Sequence, residues 1–187
     1  MGGAIYSSTS LTVSDSDFTQ NTVSSNGGAL YLTGTSSNIF TISGCVMTGN
    51  TASGDGGAIY SEVGTVQLTE AVIDKNNADG NGGGIYIEES SVTVVKGLIR
   101  NNSANSGGGI YLDSYPASAN LKFAVFGENQ AAAEGGGLVC DNDASVFMQY
   151  MVFKGNEGTD GSAYYCDGCS LTSFGVRVNS DNSISGC

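Results

Sequence analysis

The sequence predicts an all-β protein, a right-handed parallel β-helix of about seven coils with three short strands in each. Three observations carry this expectation. A block typified by Gly56-Gly57-Ala58-Ile59-Tyr60 returns in close copies beginning at Gly2, Gly27, Gly56, Gly82, Gly107, Gly135 and Gly161, at steps of 25, 29, 26, 25, 28 and 26 residues. A period in that range marks stacked repeats. Each period also carries one asparagine three residues after an apolar position, and its apolar residues alternate with period two rather than 3.6. A propeller blade needs about 40 residues, more than one period supplies, and the leucine pattern of a leucine-rich repeat is absent.

The first strand of each period follows the glycine pair, which permits a sharp corner that a side chain would obstruct. Side chains alternate across a strand, so Ile5, Leu30, Ile59, Ile85, Ile110, Leu138 and Tyr164 read as the inward column. Two residues on, Leu32, Ile87, Leu112, Cys140 and Cys166 continue it. By parity Tyr6, Tyr31, Tyr60, Tyr86, Tyr111 and Tyr165 face outward, interrupted by Val139. Two readings of this tyrosine strip stand side by side: a ladder of rings that stabilises a β surface, or a flat, partly apolar platform with hydroxyls that suits a sugar face or another protein.

The second strand is read at Leu11-Thr12-Val13, Phe40-Thr41-Ile42, Val66-Gln67-Leu68, Val92-Thr93-Val94, Ala119-Asn120-Leu121, Val146-Phe147-Met148 and Leu171-Thr172-Ser173. The third is marked by Phe18, Met47, Ile73, Ile99, Phe126, Phe153 and Val176. The asparagines that follow are Asn21, Asn50, Asn76, Asn102, Asn129, Asn156 and Asn179. They are expected at a turn, where Asn tolerates the left-handed conformation, with amides bonded from coil to coil. Equivalent positions should stack at about 4.8 Å, giving a rod on the order of 34 Å long.

Five cysteines are present. Cys140 and Cys166 share a column in neighbouring coils, within disulfide reach, so a 140–166 bridge is predicted. Cys169 and Cys187 would then close the last coil and leave Cys45 in the core. Clustering near the C-terminus implies an oxidising, extracytoplasmic home. No cofactor is expected: the chain has no histidine for a zinc site, and no specific motif supports calcium. Asn101, in Asn101-Asn102-Ser103, is a candidate glycosylation acceptor.

A net charge of −12 disfavours nucleic acid and anionic membrane surfaces. No run of about 18 apolar residues encodes a membrane span. The six basic residues include Arg100, Lys154 and Arg177, placed two before the asparagine in one column with Asp74. Without histidine this is a thin constellation for a polysaccharide lyase or hydrolase, and Asp15 and Asp17 read as turn residues rather than an acid–base pair. Thr12, Thr41, Thr93 and Thr172 begin a threonine column of the ice-binding kind, which Gln67 and Lys122 are expected to interrupt.

Gly-Gly-Ala-Ile at 2–5 and 56–59 and Gly-Gly-Ala-Leu at 27–30, with Phe18-Thr19-Gln20-Asn21, Phe126-Gly127-Glu128-Asn129 and Phe153-Lys154-Gly155-Asn156, resemble the polymorphic outer-membrane-protein repeat of chlamydial-type surface proteins. The resemblance covers essentially the whole chain. It departs in the Gly-Gly-Gly blocks of later coils, in the replacement of Phe by Met47, Ile73, Ile99 and Val176, and in the lack of a following β-barrel. It implies a surface-exposed β-helix and adhesion. The expectation is one domain over 1–187, a fragment of or building block for a longer solenoid or filament. Its expected role is an extracellular or cell-surface scaffold, self-associating head to tail or adhesin-like. The expected partners are its own copies, glycans or a host cell surface, with carbohydrate binding or lyase-like action as the alternative.

Overall fold

A computed structural model describes residues 2–187, and every regular element among them is a strand. The chain winds through seven stacked coils in parallel register. Ile5 lies beside Leu30, Leu30 beside Ile59, and the column continues through Ile85, Ile110 and Leu138 to Tyr164. A one-residue slip would turn this column out to solvent and bring the tyrosines in, so the inward face fixes the register. These side chains, with those of the second and third strands, form one continuous core in which Phe126 stacks on Phe153 with centroids 5.1 Å apart.

The coils build three sheets, though the expected strands are distributed differently among them. The first and second strands share one sheet of thirteen, and in the third and fourth coils they fuse into the eleven-residue strands Ile59–Thr69 and Ile85–Val95. The third strand supplies a sheet of seven, from Asp17–Thr19 to Arg177–Val178. A third sheet of five comes from two-residue strands just after the asparagines, such as Thr51–Ala52 and Ser103–Ala104. Strands that short leave no alternation to read.

Three left-handed corners recur per coil. One is the first glycine of each pair: a Cβ on Gly56 (φ 67°) would sit 2.9 Å from the Tyr60 nitrogen and closer still to the Ile59 carbonyl. The second follows the second strand, at Asp15, Gly44, Glu70, Lys96, Phe123, Tyr150 and Gly175. The third lies one residue before the asparagine, at Gln20, Gly49, Lys75, Asn101, Glu128 and Gly155. The asparagines themselves are therefore not the left-handed residues. They turn their amides inward: Asn50, Asn76, Asn102, Asn129 and Asn156 are buried, each donating Nδ2 to the Oδ1 of the asparagine one coil on and to a carbonyl one coil back. Burial is tolerated because every polar atom of the amide is bonded.

The seventh coil departs from the expected phase. Val178, not Val176, stacks on Phe153, and Asn182, not Asn179, receives the Asn156 amide at 3.0 Å. Asn179 is exposed; its carbonyl accepts the Asn182 N–H of a local turn at 2.9 Å. Arg177 consequently pairs with Val152 and leaves the column of Asp74, Arg100 and Lys154.

Candidate ligand-binding face

The tyrosine strip is outward by parity but is not an open platform. Rings of Tyr6, Tyr31, Tyr60, Tyr86 and Tyr111 stack in sequence with centroids 4.9–5.5 Å apart. Each inner ring has both faces covered by its neighbours, so exposure falls from 49% at the end residue Tyr6 to 7% at Tyr86. The phenols are taken as well. Tyr31 donates to Glu62, Tyr60 to Glu88, Tyr86 to Asp113 and Tyr111 to Asp141, each carboxylate lying one coil on. Burial, reinforced by these bonds, pushes Tyr31 up to about 12 and the other three higher still. Val139 seals the ladder, and Tyr165 lies half-buried beyond it. Stacking that stabilises the fold accounts for this strip, and a ligand would find little of it to touch.

The exposed aromatic surface lies elsewhere, on the outward face of the second strand in coils five to seven. Register places Thr12, Thr41, Gln67, Thr93, Asn120, Phe147 and Thr172 in one outward column. Asn120 and Phe147 thus join Gln67 in breaking the threonines, whereas Lys122 stands in the next column, beside Val95 and Gln149. Phe147 is 38% exposed, with the Lys122 ammonium 5.8 Å from its ring centroid. At the adjoining corner Phe123 and Tyr150 are 53% and 47% exposed and stacked at 5.3 Å, and Phe174 meets Tyr150 edge-on at the same distance.

Phe123 and Tyr150 sit at φ 54° and 53°, where earlier coils hold Asp15, Gly44, Glu70 and Lys96. A bulky residue in the left-handed region is strained. The fold gains no core burial in exchange, and outliers of this kind gather at functional sites. The same outward face carries a hollow of about 420 Å³, in whose wall Phe147 is the one aromatic. Its walls carry the hydroxyl column Ser91, Ser118, Ser145 and Ser170, with Asn120 and Phe147 between, and no charged side chain. The Oδ1 of Asn120 is shielded from solvent without a hydrogen-bond partner. The signal in the sequence is the change from Thr, Gly, Glu and Lys to aromatics at two outward positions in the later coils alone.

Among family profiles, the one described as periplasmic copper-binding protein (NosD) matches residues 3–165. The chain belongs to this family. No curated protein matches it.

The NosD description raises the question of metal donors. Among the described residues no group of three or more His, Cys, Asp or Glu is gathered as a metal site, and the sequence has no histidine. The expected Cys140–Cys166 bridge is not formed. Cys166 is instead bonded to Cys187, whose Cα lies 5.2 Å away, because Tyr164 and Tyr165 pair with Ile184 and Ser185 and so carry the last residues across Cys166. Cys169 accordingly does not close the last coil with Cys187. Cys45 and Cys140 are buried free thiols and Cys169 is half-buried.

The basic column is dispersed: Arg100 pairs with Asp74 at 3.4 Å, Gly127 separates it from Lys154, and Arg177 lies elsewhere. Asp74 also accepts the Asn101 amide at 2.8 Å, so the sequon nitrogen is engaged at a left-handed corner.

Proposed function

We propose that this chain is the rod of an exported, surface-displayed scaffold that binds neutral glycan through the outward face of its later coils and performs no catalysis. The observation that carries this reading is an outward face with exposed aromatics, on which Phe147 walls an uncharged hollow. A sugar ring is apolar across its C–H faces and hydroxylated along its rim, so one side fits the Phe147 ring while its hydroxyls meet Ser118 and Ser145. The likeness to polymorphic outer-membrane-protein repeats and the periplasmic description of the NosD family both support export, as does the Cys166–Cys187 bridge.

Copper does not enter this reading. The NosD description names it, but the donors here do not fit: histidine is absent, no three-donor group is gathered among the described residues, and the buried Cys140 thiol holds its proton. No step through the metal is derived.

The test is binding of the full chain to an array of neutral glycans and to insoluble polysaccharides. Phe147→Ala and Tyr150→Ala, both at exposed positions, are expected to weaken binding about tenfold or more, a loss of about 1.4 kcal/mol, while leaving the melting midpoint unchanged. Absence of binding to any neutral glycan, or equal binding by the variants, would overturn the reading. The same exposed aromatics support a second reading, pairing with another copy of the chain. Sedimentation velocity separates the two: a dimer that both substitutions dissolve would favour self-association. Head-to-tail stacking rests on the repeat alone.

A further inference from the structure

The last two coils hold a second pair of cysteines that the Cys166–Cys187 bridge does not use. Register sets Cys140 beside Cys166 on the inward face. From there the sixth coil crosses to its second strand through Asp141–Ala144, four residues, and the seventh through Asp167–Cys169, three. The two turns are bonded to each other: the Asp167 N–H donates to the Cys140 carbonyl at 2.9 Å, and the Ser170 N–H to that of Ala144 at 3.0 Å. The shorter turn thus lays Cys169 over Ala144, where it packs against the same core that buries Cys140.

We propose that Cys140 and Cys169 form a second disulfide, a redox-controlled staple that fastens the Asp167–Cys169 turn to the core.

The environments divide the chemistry between the two thiols. The neighbouring thiol favours Cys169 as the thiolate and, with burial, keeps the proton on Cys140. The carboxylates of Asp141 and Asp167 oppose thiolate formation at Cys169, as does its partial burial, but the influence of Cys140 outweighs them. The half-exposed Cys169 is the one an external reagent reaches, and Cys140 is fully buried. That is the division between an attacking and a resolving thiol.

The oxidant is a disulfide donor, either oxidised glutathione or a disulfide oxidoreductase. The Cys169 thiolate attacks one donor sulfur, breaking the donor S–S bond; a mixed disulfide forms and one donor thiolate leaves. Cys140 then gives up its proton and attacks Cys169 Sγ, expelling the second donor thiolate. Two electrons and two protons pass from the cysteines to the donor, which departs as two thiols. Because Ser170, the next residue, lines the hollow, the staple also fixes one wall of it.

The full chain would be equilibrated with oxidised glutathione, alkylated under denaturing conditions and mapped by mass spectrometry. One alkylated cysteine, Cys45, with 140–169 and 166–187 cross-linked peptides and a mass lower by two hydrogens per bridge, is the expected result. Alkylation of both Cys140 and Cys169 would overturn the proposal, as would a 140–166 or 169–187 link, or a pair that resists the donor and takes up Cu(I) instead. Cys169→Ser, at a half-exposed position, should leave Cys140 alkylatable, keep the 166–187 bridge and remove the rise in melting midpoint that oxidation gives the native chain. The same rise in the variant would sink the idea.

Discussion

Asn102 shows how much one residue can hold. Its Oδ1 accepts from both the main-chain N–H and the Nδ2 of Asn76, while its own Nδ2 donates to Asn129 and to the Ile73 carbonyl. Replacing it with alanine strands two donors on Asn76 in a buried site. Asn102→Ala is expected to lower stability by about 3–5 kcal/mol, at about 1–3 kcal/mol for each orphaned group. At the half-buried end of the column Asn21 gives only one side-chain bond, to Asn50 at 2.8 Å, and Asn21→Ala should lose about 1 kcal/mol or less. Urea denaturation of the two variants measures the contrast, and equal losses would show that the ladder does not carry the column. The asparagine spacing was legible in the sequence, but the reading of Asn as the left-handed residue was one position off. Gln20, Lys75 and Glu128 take that conformation beside residues better suited to it, because the demand for buried amide bonds decides which residue turns inward.

Corner and strand obey different constraints. A second-strand residue facing inward is held by the core, so Phe40, Val66, Val92, Ala119 and Val146 were readable from alternation. The corner after that strand is held only by its backbone angle, and its side chain is free to vary. Phe123→Gly is therefore expected to raise stability by about 1–2 kcal/mol, the left-handed strain removed, while weakening glycan binding. Thermal unfolding and the binding assay together check this; a destabilised variant would mean that the Phe123–Tyr150 stack holds the fold. The seventh coil was misread for a related reason. Its Val176 and Asn179 reproduce the expected spacing in sequence, yet the chain takes Val178 and Asn182. A spacing of three is a local coincidence when stacking on Phe153 and Asn156 selects the partner.

At the scale of the whole rod, the tyrosine ladder couples five coils through ring contacts and phenol bonds. Tyr31 is held up to about 12, and Tyr60, Tyr86 and Tyr111 higher, against about 10 in an unfolded chain. Groups raised in the folded state favour folding fully below pH 10. As pH climbs from 10 past 12 the unfolded chain ionises first, and the ladder's contribution is lost. The melting midpoint should hold steady to about pH 9.5 and fall steeply beyond 10, with phenolate absorbance of the ladder appearing together with unfolding. Smooth ionisation of all the tyrosines in a protein that stays folded would contradict this. The period of the sequence was enough to establish the solenoid, because each coil repeats the same burial. It was not enough to find the binding face, since what sets that face apart is a departure from the repeat.

The asparagine ladder has one further property. From Asn21 through Asn156 each amide sends a side-chain N–H to the asparagine oxygen of the coil that follows, and from Asn50 on each of those oxygens accepts from the coil before. The amide dipoles add instead of cancelling, and each bond polarises the next. Along one corner of the coil stack runs an electrically oriented thread, positive toward the later coils. Reversing any single amide would set donor against donor on one side and oxygen against oxygen on the other, so its direction is fixed collectively. The two ends of the rod are chemically different poles, and a coil can join the stack in only one orientation.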